Sequence, residues 1–195
     1  ALSSATETPH QHHGRAVPID LDGDGRPELV FETDGRERQI AQVVRATPTL
    51  DPVATVDLGF NTFQALEPAP GSPGLLVTTE RNKRVIEAVL RRLEGDHLVE
   101  LSRWSEGQLR AALAVDVDGD GGRELLVGTG PYSRRLVELV QGTDGSWSTR
   151  SLAPTIDRRR SDVVDLIAGD LDADGRTEIV AALGPWSAYE LHVLR

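Results

Sequence analysis

Asp170-Leu171-Asp172-Ala173-Asp174-Gly175-Arg176-Thr177-Glu178 runs straight into the apolar stretch Ile179-Val180-Ala181-Ala182-Leu183. Two further stretches have the same form. Asp20-Leu21-Asp22-Gly23-Asp24-Gly25-Arg26-Pro27-Glu28 precedes Leu29-Val30-Phe31, and Asp116-Val117-Asp118-Gly119-Asp120-Gly121-Gly122-Arg123-Glu124 precedes Leu125-Leu126-Val127. In each, acids stand at positions 1, 3, 5 and 9 and glycine at position 6. One loop design, followed by one kind of strand, is used three times.

The spacing of the loops gives the period. Asp116 and Asp170 are 54 residues apart, and Asp20 and Asp116 are 96 apart, close to twice 48. A fourth copy is therefore expected to begin near Leu66. Aligning Leu75-Leu76-Val77 with Leu125-Leu126-Val127 places Leu66, Pro68, Pro70 and Gly74 at the four acidic positions, a repeat whose metal site is lost. Gly130-Pro131-Tyr132 and Gly184-Pro185-Trp186 lie 54 apart as well and support the same frame. Four units of about 50 residues match the period of β-propeller blades. They divide residues 15–195, read as one domain, at about 15–60, 61–107, 108–157 and 158–195.

Between the loops the chain reads as short strands: Leu29–Phe31, Ile40–Val44, Val53–Leu58, Leu75–Thr79, Val85–Leu93, His97–Trp104, Leu109–Val115, Leu125–Val127, Leu136–Val140, Trp147–Leu152, Val163–Ala168, Glu178–Leu183 and Tyr189–Leu194. Turn signals such as Asp34-Gly35, Gly95-Asp96 and Asp144-Gly145 separate them, which predicts an all-β protein of four-stranded antiparallel sheets. Val85–Leu93 also fits a short amphipathic helix. Residues 1–14, with His10, His12 and His13, read as a flexible solvated arm or as a strand closing the last repeat, whose fourth strand is missing.

Composition agrees with a folded protein: 195 residues, 38% hydrophobic and 27% charged. No apolar run approaches the roughly 20 residues needed for a membrane-spanning helix. The net charge of −10 is local, because the three loops hold twelve carboxylates and the remainder would carry +2. The overall charge of −10 disfavours nucleic acid as a partner. There is no cysteine, and a chain that starts Ala1-Leu2 without methionine is expected to be processed or a fragment.

Calcium takes six to eight hard oxygen ligands at about 2.3–2.6 Å. Acids at positions 1, 3 and 5 of a tight turn can face one ion, and glycine at position 6 permits the turn. The carbonyl at position 7 (Arg26, Gly122, Arg176) can join them, and Glu at position 9 ties the ion to the next strand. Up to three Ca2+ ions are expected on this count. An EF-hand would need a bidentate Glu at position 12, where Phe31, Val127 and Ala181 stand instead.

On these loops, the strand that follows them and the Gly-Pro pairs, the sequence resembles the FG-GAP (VCBS) repeat family, the calcium-binding β-propeller repeats of integrin α-subunits and many bacterial extracellular proteins. The resemblance covers residues 15–195. It implies calcium held by Asp20, Asp22, Asp24 and Glu28, by Asp116, Asp118, Asp120 and Glu124, and by Asp170, Asp172, Asp174 and Glu178. This chain departs from the family in its second unit, which lacks all four acids of the loop, and in having four repeats where about seven are usual. A closed four-unit ring, half of a dimeric ring and a piece of a larger protein all stay open.

No nucleophile elbow, zinc-protease, P-loop or dinucleotide motif is present. His97, His192, Trp104 and Trp147 read as structural, and Arg158-Arg159-Arg160 as a solvated loop or a contact to a neighbouring protein. Tyr132 and Trp186, after a glycine-proline turn, are the candidates for stacking on a sugar or a partner. The expectation is a non-catalytic, calcium-stabilised protein-binding or scaffolding module, a subunit of an extracytoplasmic complex. A carbohydrate-binding propeller, or an accessory domain of a polysaccharide-acting enzyme, is the alternative.

Overall fold

The structure, a computed structural model, describes residues 16–34, 39–59, 63–82, 85–105, 107–130, 133–153, 161–184 and 189–195. Among them are fifteen strands and no helix. The first sheet holds β1 (Ala16–Ile19), β2 (Glu28–Asp34), β3 (Gln39–Ala46) and β4 (Leu50–Gly59). The second holds β5 (Phe63–Leu66), β6 (Leu75–Asn82), β7 (Val85–Glu94) and β8 (His97–Trp104). β9 (Leu109–Val115), β10 (Glu124–Thr129), β11 (Leu136–Gln141) and β12 (Trp147–Ser151) make the third. β13 (Asp162–Gly169), β14 (Glu178–Gly184) and β15 (Glu190–Leu194) make the fourth. Each sheet is an antiparallel meander in chain order. The expected all-β class is met with four antiparallel sheets.

Val85–Leu93 is a strand. β7 pairs with β6 on one side and β8 on the other, and its backbone groups go into those ladders rather than into a helix. The two-residue loop Gly95-Asp96 closes the β7–β8 hairpin with Gly95 at φ 61°, a conformation that favours glycine.

The sheets pack face to face in sequence order. Leu21, Val30, Ala41, Val43 and Leu58 of the first meet Phe63, Leu76 and Leu93 of the second. On the second sheet's other face, Leu66, Leu75, Val77, Ala88 and Leu90 meet Leu125, Val127, Val137 and Leu139 of the third. Ala111, Leu126 and Leu136 of the third then meet Val163, Leu166, Ile179, Ala181 and Leu183 of the fourth. The second and third sheets are covered on both faces, which is why Leu75-Leu76-Val77 and Leu125-Leu126-Val127 are continuously apolar instead of alternating. Polar bonds also cross the joints: Gln64 Nε2 donates to the carbonyl of Arg110 (3.0 Å), and the Leu109 N–H donates to Thr79 Oγ1 (3.1 Å). Trp104 and Trp147 pack, half-buried, on the core between second and third sheets, as read from the sequence.

Strand register corrects the alignment of the second repeat. Ile19 pairs with Glu28, Val115 with Glu124 and Gly169 with Glu178, each pair closing an eight-residue loop. In the second sheet the equivalent pair is Leu66 with Leu75. Glu67, Ala69, Gly71 and Leu75 therefore take the four acidic positions, one residue later than the expected Leu66, Pro68, Pro70 and Gly74. The apolar triplet misled because a leucine, Leu75, has replaced the glutamate that begins the strand. That loop keeps its first acid.

Candidate metal centres in three loops

Each acidic loop joins the first strand of a sheet to the second, and its own carboxylates build it. In the first loop, Asp20 accepts the N–H groups of Gly23 (Oδ1, 2.7 Å) and Gly25 (Oδ2, 2.8 Å). Asp22 accepts the N–H of Asp24 (3.2 Å), and Asp24 that of Arg26 (2.8 Å). The third loop repeats the ladder: Asp116 takes Gly119 (2.7 Å) and Gly121 (3.0 Å), Asp118 takes Asp120 (3.1 Å), and Asp120 takes Gly122 (2.7 Å). In the fourth sheet's loop Asp170 takes Asp174 (3.1 Å) and Gly175 (3.0 Å), Asp172 also reaches Asp174 (3.3 Å), and Asp174 takes Arg176 (2.9 Å). Glycine at position 6 is required by this path, since Gly25, Gly121 and Gly175 have φ of 81°, 88° and 86°.

The glutamate at position 9 begins the second strand and reaches back under the loop. Glu28 Oε2 accepts the N–H of Leu21 (2.9 Å), Glu124 Oε2 that of Val117 (2.7 Å) and Glu178 Oε2 that of Leu171 (2.9 Å). Glu28 and Glu178 are buried, and burial pushes the Glu28 carboxyl above its ordinary range despite the hydrogen bond from Leu21. A cation beside it would reverse that preference and favour the charged form.

Three acids of each loop converge. Asp20, Asp22 and Glu28 place one carboxylate oxygen each within 4.8 Å of the others, as do Asp116, Asp118 and Glu124, and Asp170, Asp172 and Glu178. Two oxygens on opposite sides of an ion at about 2.4 Å from each stand about 4.8 Å apart, so these groups could hold a metal ion with hard oxygen ligands. The position-5 acids Asp24, Asp120 and Asp174 lie outside these groups and instead brace the residue at position 7, that is Arg26, Gly122 and Arg176.

Sequence reasoning did not find the arginines that already serve two loops. Arg45, opposite Glu28 in the β2–β3 ladder, donates to Asp22 (2.8 Å) and approaches Glu28 (3.6 Å). Arg195 pairs with Asp172 at 2.8 Å. Strand register is the signal that places Arg45, because a residue facing position 9 across the ladder sits beside the loop. The loops also touch one another: the Gly74 N–H donates to the carbonyl of Asp20 (2.6 Å), and Arg123 donates to Glu67 (2.9 Å). Tyr132 and Trp186 lie outside the described residues, as do His10, His12, His13 and Arg158-Arg159-Arg160. His97 is exposed, and His192 stands 2.9 Å from Glu190. A cleft of about 530 Å³ between β4 and β8, lined by Pro52, Thr55, Arg91, Asp96 and His97 among others, contains one carboxylate, that of Asp96.

The model of the FG-GAP-like repeat matches residues 116–181, from the first acid of the third loop into β14. That segment carries an FG-GAP-like repeat. No curated protein matches the chain. Among solved structures, the rhamnogalacturonan lyase YesW is similar, with a TM-score of 0.57 and 18% identity over 93% of this chain. The chain spans 37% of that lyase's length, and at this identity the likeness is one of fold.

Proposed function

We propose that this chain is a calcium-stabilised, non-catalytic binding or scaffolding module of the propeller type, its four sheets being successive blades, and that its partner is another protein. The observation that carries the reading is the threefold recurrence of a carboxylate trio at one place in three sheets, the turn from first to second strand. Calcium is the cation of choice because every side-chain donor is a hard oxygen and the loops are open to solvent, which suits an ion that keeps several ligands and some water. The FG-GAP-like repeat at 116–181 supports the same choice.

Calcium here is a folding ligand. Each carboxylate of the loops already accepts a backbone N–H, so these acids are committed to holding the turn and have no free role in acid–base work. Sites of this kind bind with Kd of about 10⁻⁴–10⁻³ M in extracellular modules, which fits work outside the cytoplasm. Titration of the metal-free chain with calcium, followed by calorimetry and by melting temperature, tests the reading. Three bound equivalents and a melting temperature that falls on chelation are expected; a melting temperature indifferent to chelation would overturn it.

A further inference from the structure

The fourth sheet has one face buried on the third and the other face bare. Leu191 is 74% exposed, Ile167 58%, Leu171 56% and Val193 52%. Among the described residues, every substantial contact this sheet makes with another sheet is with the third, through β13 against β9 and β10.

Register shows what the bare face is built for. Val30, Val77, Leu126 and Val180 each stand two residues after position 9 of their loop, and each of the first three is 0% exposed beneath the following sheet. Across the ladder from them lie Val43, Leu90, Glu138 and Val193, of which Val43 and Leu90 are also 0% exposed. Leu191 takes the place that Ala41, Ala88 and Leu136 fill in the earlier sheets, all buried. Leu171 takes that of Leu21, also buried. Thus the outer face of the fourth sheet repeats, position by position and with Val193 in place of Glu138 of the third, the surface on which each earlier sheet receives its successor. Four large side chains half or more in water on one sheet face mark an interaction surface.

At the other end of the array the first sheet has the complementary face. Leu29 and Phe31 stand where Leu76 and Thr78, Leu125 and Val127, and Ile179 and Ala181 are buried against the preceding sheet. Here they are half-buried, and Ala16 and Pro18 beside them are exposed. The array of four sheets therefore has two unlike outer faces, each the partner of the other in every internal joint.

The geometry points to a second copy of this chain as the occupant: the first sheet of one copy docks on the fourth sheet of the other, and a two-fold arrangement satisfies all four faces at once. Each of the two joints runs head to tail, and together they close into a two-fold pair only when the rotation per sheet brings the ends together. The continuity with three existing joints of the same kind argues for it over an unrelated partner. The pairing goes beyond the calcium-module reading and stands on sheet packing alone. A monomer that still responds to calcium would remove the pairing only, and a pair that ignores chelation would remove the calcium reading only.

Light scattering on the calcium-loaded chain at tens of micromolar is the test. A mass of twice 21.1 kDa is expected. Leu191→Asp on the fourth sheet and Phe31→Asp on the first should each give monomers with an unchanged far-ultraviolet dichroism spectrum. Leu191 is mostly in solvent, so its substitution leaves the core intact. Mixing the two variants should restore a one-to-one pair through the one face that remains whole in each. A wild-type monomer, an assembly that lengthens with concentration, a pair indifferent to Leu191→Asp, or variants that do not recombine would each overturn the proposal.

Discussion

Arg123, at position 8 of the third loop, donates through Nη1 to Glu67 Oε2 at 2.9 Å and to the Glu67 carbonyl at 3.2 Å. Glu67 is the surviving first acid of the second loop, and the Gly71 N–H also donates to it (2.9 Å), much as the position-6 glycines donate to the first aspartates elsewhere. The Gly71 bond first, then Arg123, holds the Glu67 carboxyl below the usual carboxylate range. A guanidinium from the neighbouring loop thus stands where the other repeats gather three carboxylates.

That arrangement predicts three calcium equivalents rather than four, and a non-additive pair of substitutions. Arg123→Ala and Glu67→Gln should each lower the melting temperature slightly, and the double variant no more than the larger single one. The calcium count should stay at three in all of them. A fourth equivalent bound by wild type, or strictly additive losses, would contradict the stand-in role.

The hydrogen-bond ladder ranks the acids of a loop. Asp116 holds two N–H groups and belongs to the carboxylate trio, Asp118 holds one and belongs to it, and Asp120 holds one and does not. Asp116→Ala should therefore be the costliest change, about 2–3 kcal/mol from two lost charge-assisted bonds even without metal, and it should delete one calcium equivalent. Asp118→Ala should weaken calcium binding with a small cost in the metal-free chain. Asp120→Ala should cost about 1 kcal/mol in both states and preserve the stoichiometry. Urea unfolding with and without calcium gives the order; equal losses for Asp116 and Asp120 would refute the ladder.

The trio was legible from sequence because a D-x-D-x-D-G-x-x-E pattern states both its ligands and its turn. What was hidden is telling. β1 and β5 escape a search for strands since each is four residues long, and Pro18 interrupts the first. Their existence follows from the loops that need a strand on either side. The slip at Leu75 arose because a leucine can replace a ligand without changing the apolar look of the strand, and only cross-strand pairing reveals it. The bare face of the fourth sheet is equally silent in sequence: Leu191 and Val193 alternate just as core residues do, and the missing neighbour is visible only as exposure.

A second charge cluster sets an acid limit on stability. Arg103 meets Glu100 (2.7 Å), Glu87 (2.9 Å) and Glu80 (3.1 Å) across the second sheet, and Arg91 also pairs with Glu80. The bond from Arg103 is the main reason the Glu100 carboxyl titrates below its ordinary range. A folded-state pKa below the unfolded value gives stability that is present above the unfolded value, about 4.3, and lost as pH falls through the folded one. Arg103→Gln should lower stability near neutrality and make the fall below about pH 4.3 shallower than in wild type. Parallel curves of unfolding free energy against pH for the two proteins would exclude the cluster as a source of acid sensitivity. Because Glu100 and Arg103 are partly solvated, the separation between the curves should shrink in high salt.

Asp162, at the start of β13, makes the strongest prediction outside the loops. It is 0% exposed, with Arg134 Nε donating to Oδ1 at 3.4 Å and Arg110 Nε at 3.4 Å from Oδ2. The Arg110 contact has ion-pair distance without hydrogen-bond alignment, which leaves Oδ2 without a donor among the described residues. Both arginines are about a third exposed and can turn to water, whereas the carboxylate cannot. Removing the cations should therefore cost more than removing the anion, since a buried charge without a partner carries the full desolvation penalty. The double variant Arg110→Ala with Arg134→Ala should lose about 3 kcal/mol or more, and adding Asp162→Asn to it should return part of that loss. Asp162→Asn alone should cost less than the double arginine change. Equilibrium unfolding of the four proteins measures the asymmetry, and a greater loss from Asp162→Asn than from both arginines together would show that the carboxylate, not its desolvation, holds β13 against the third sheet.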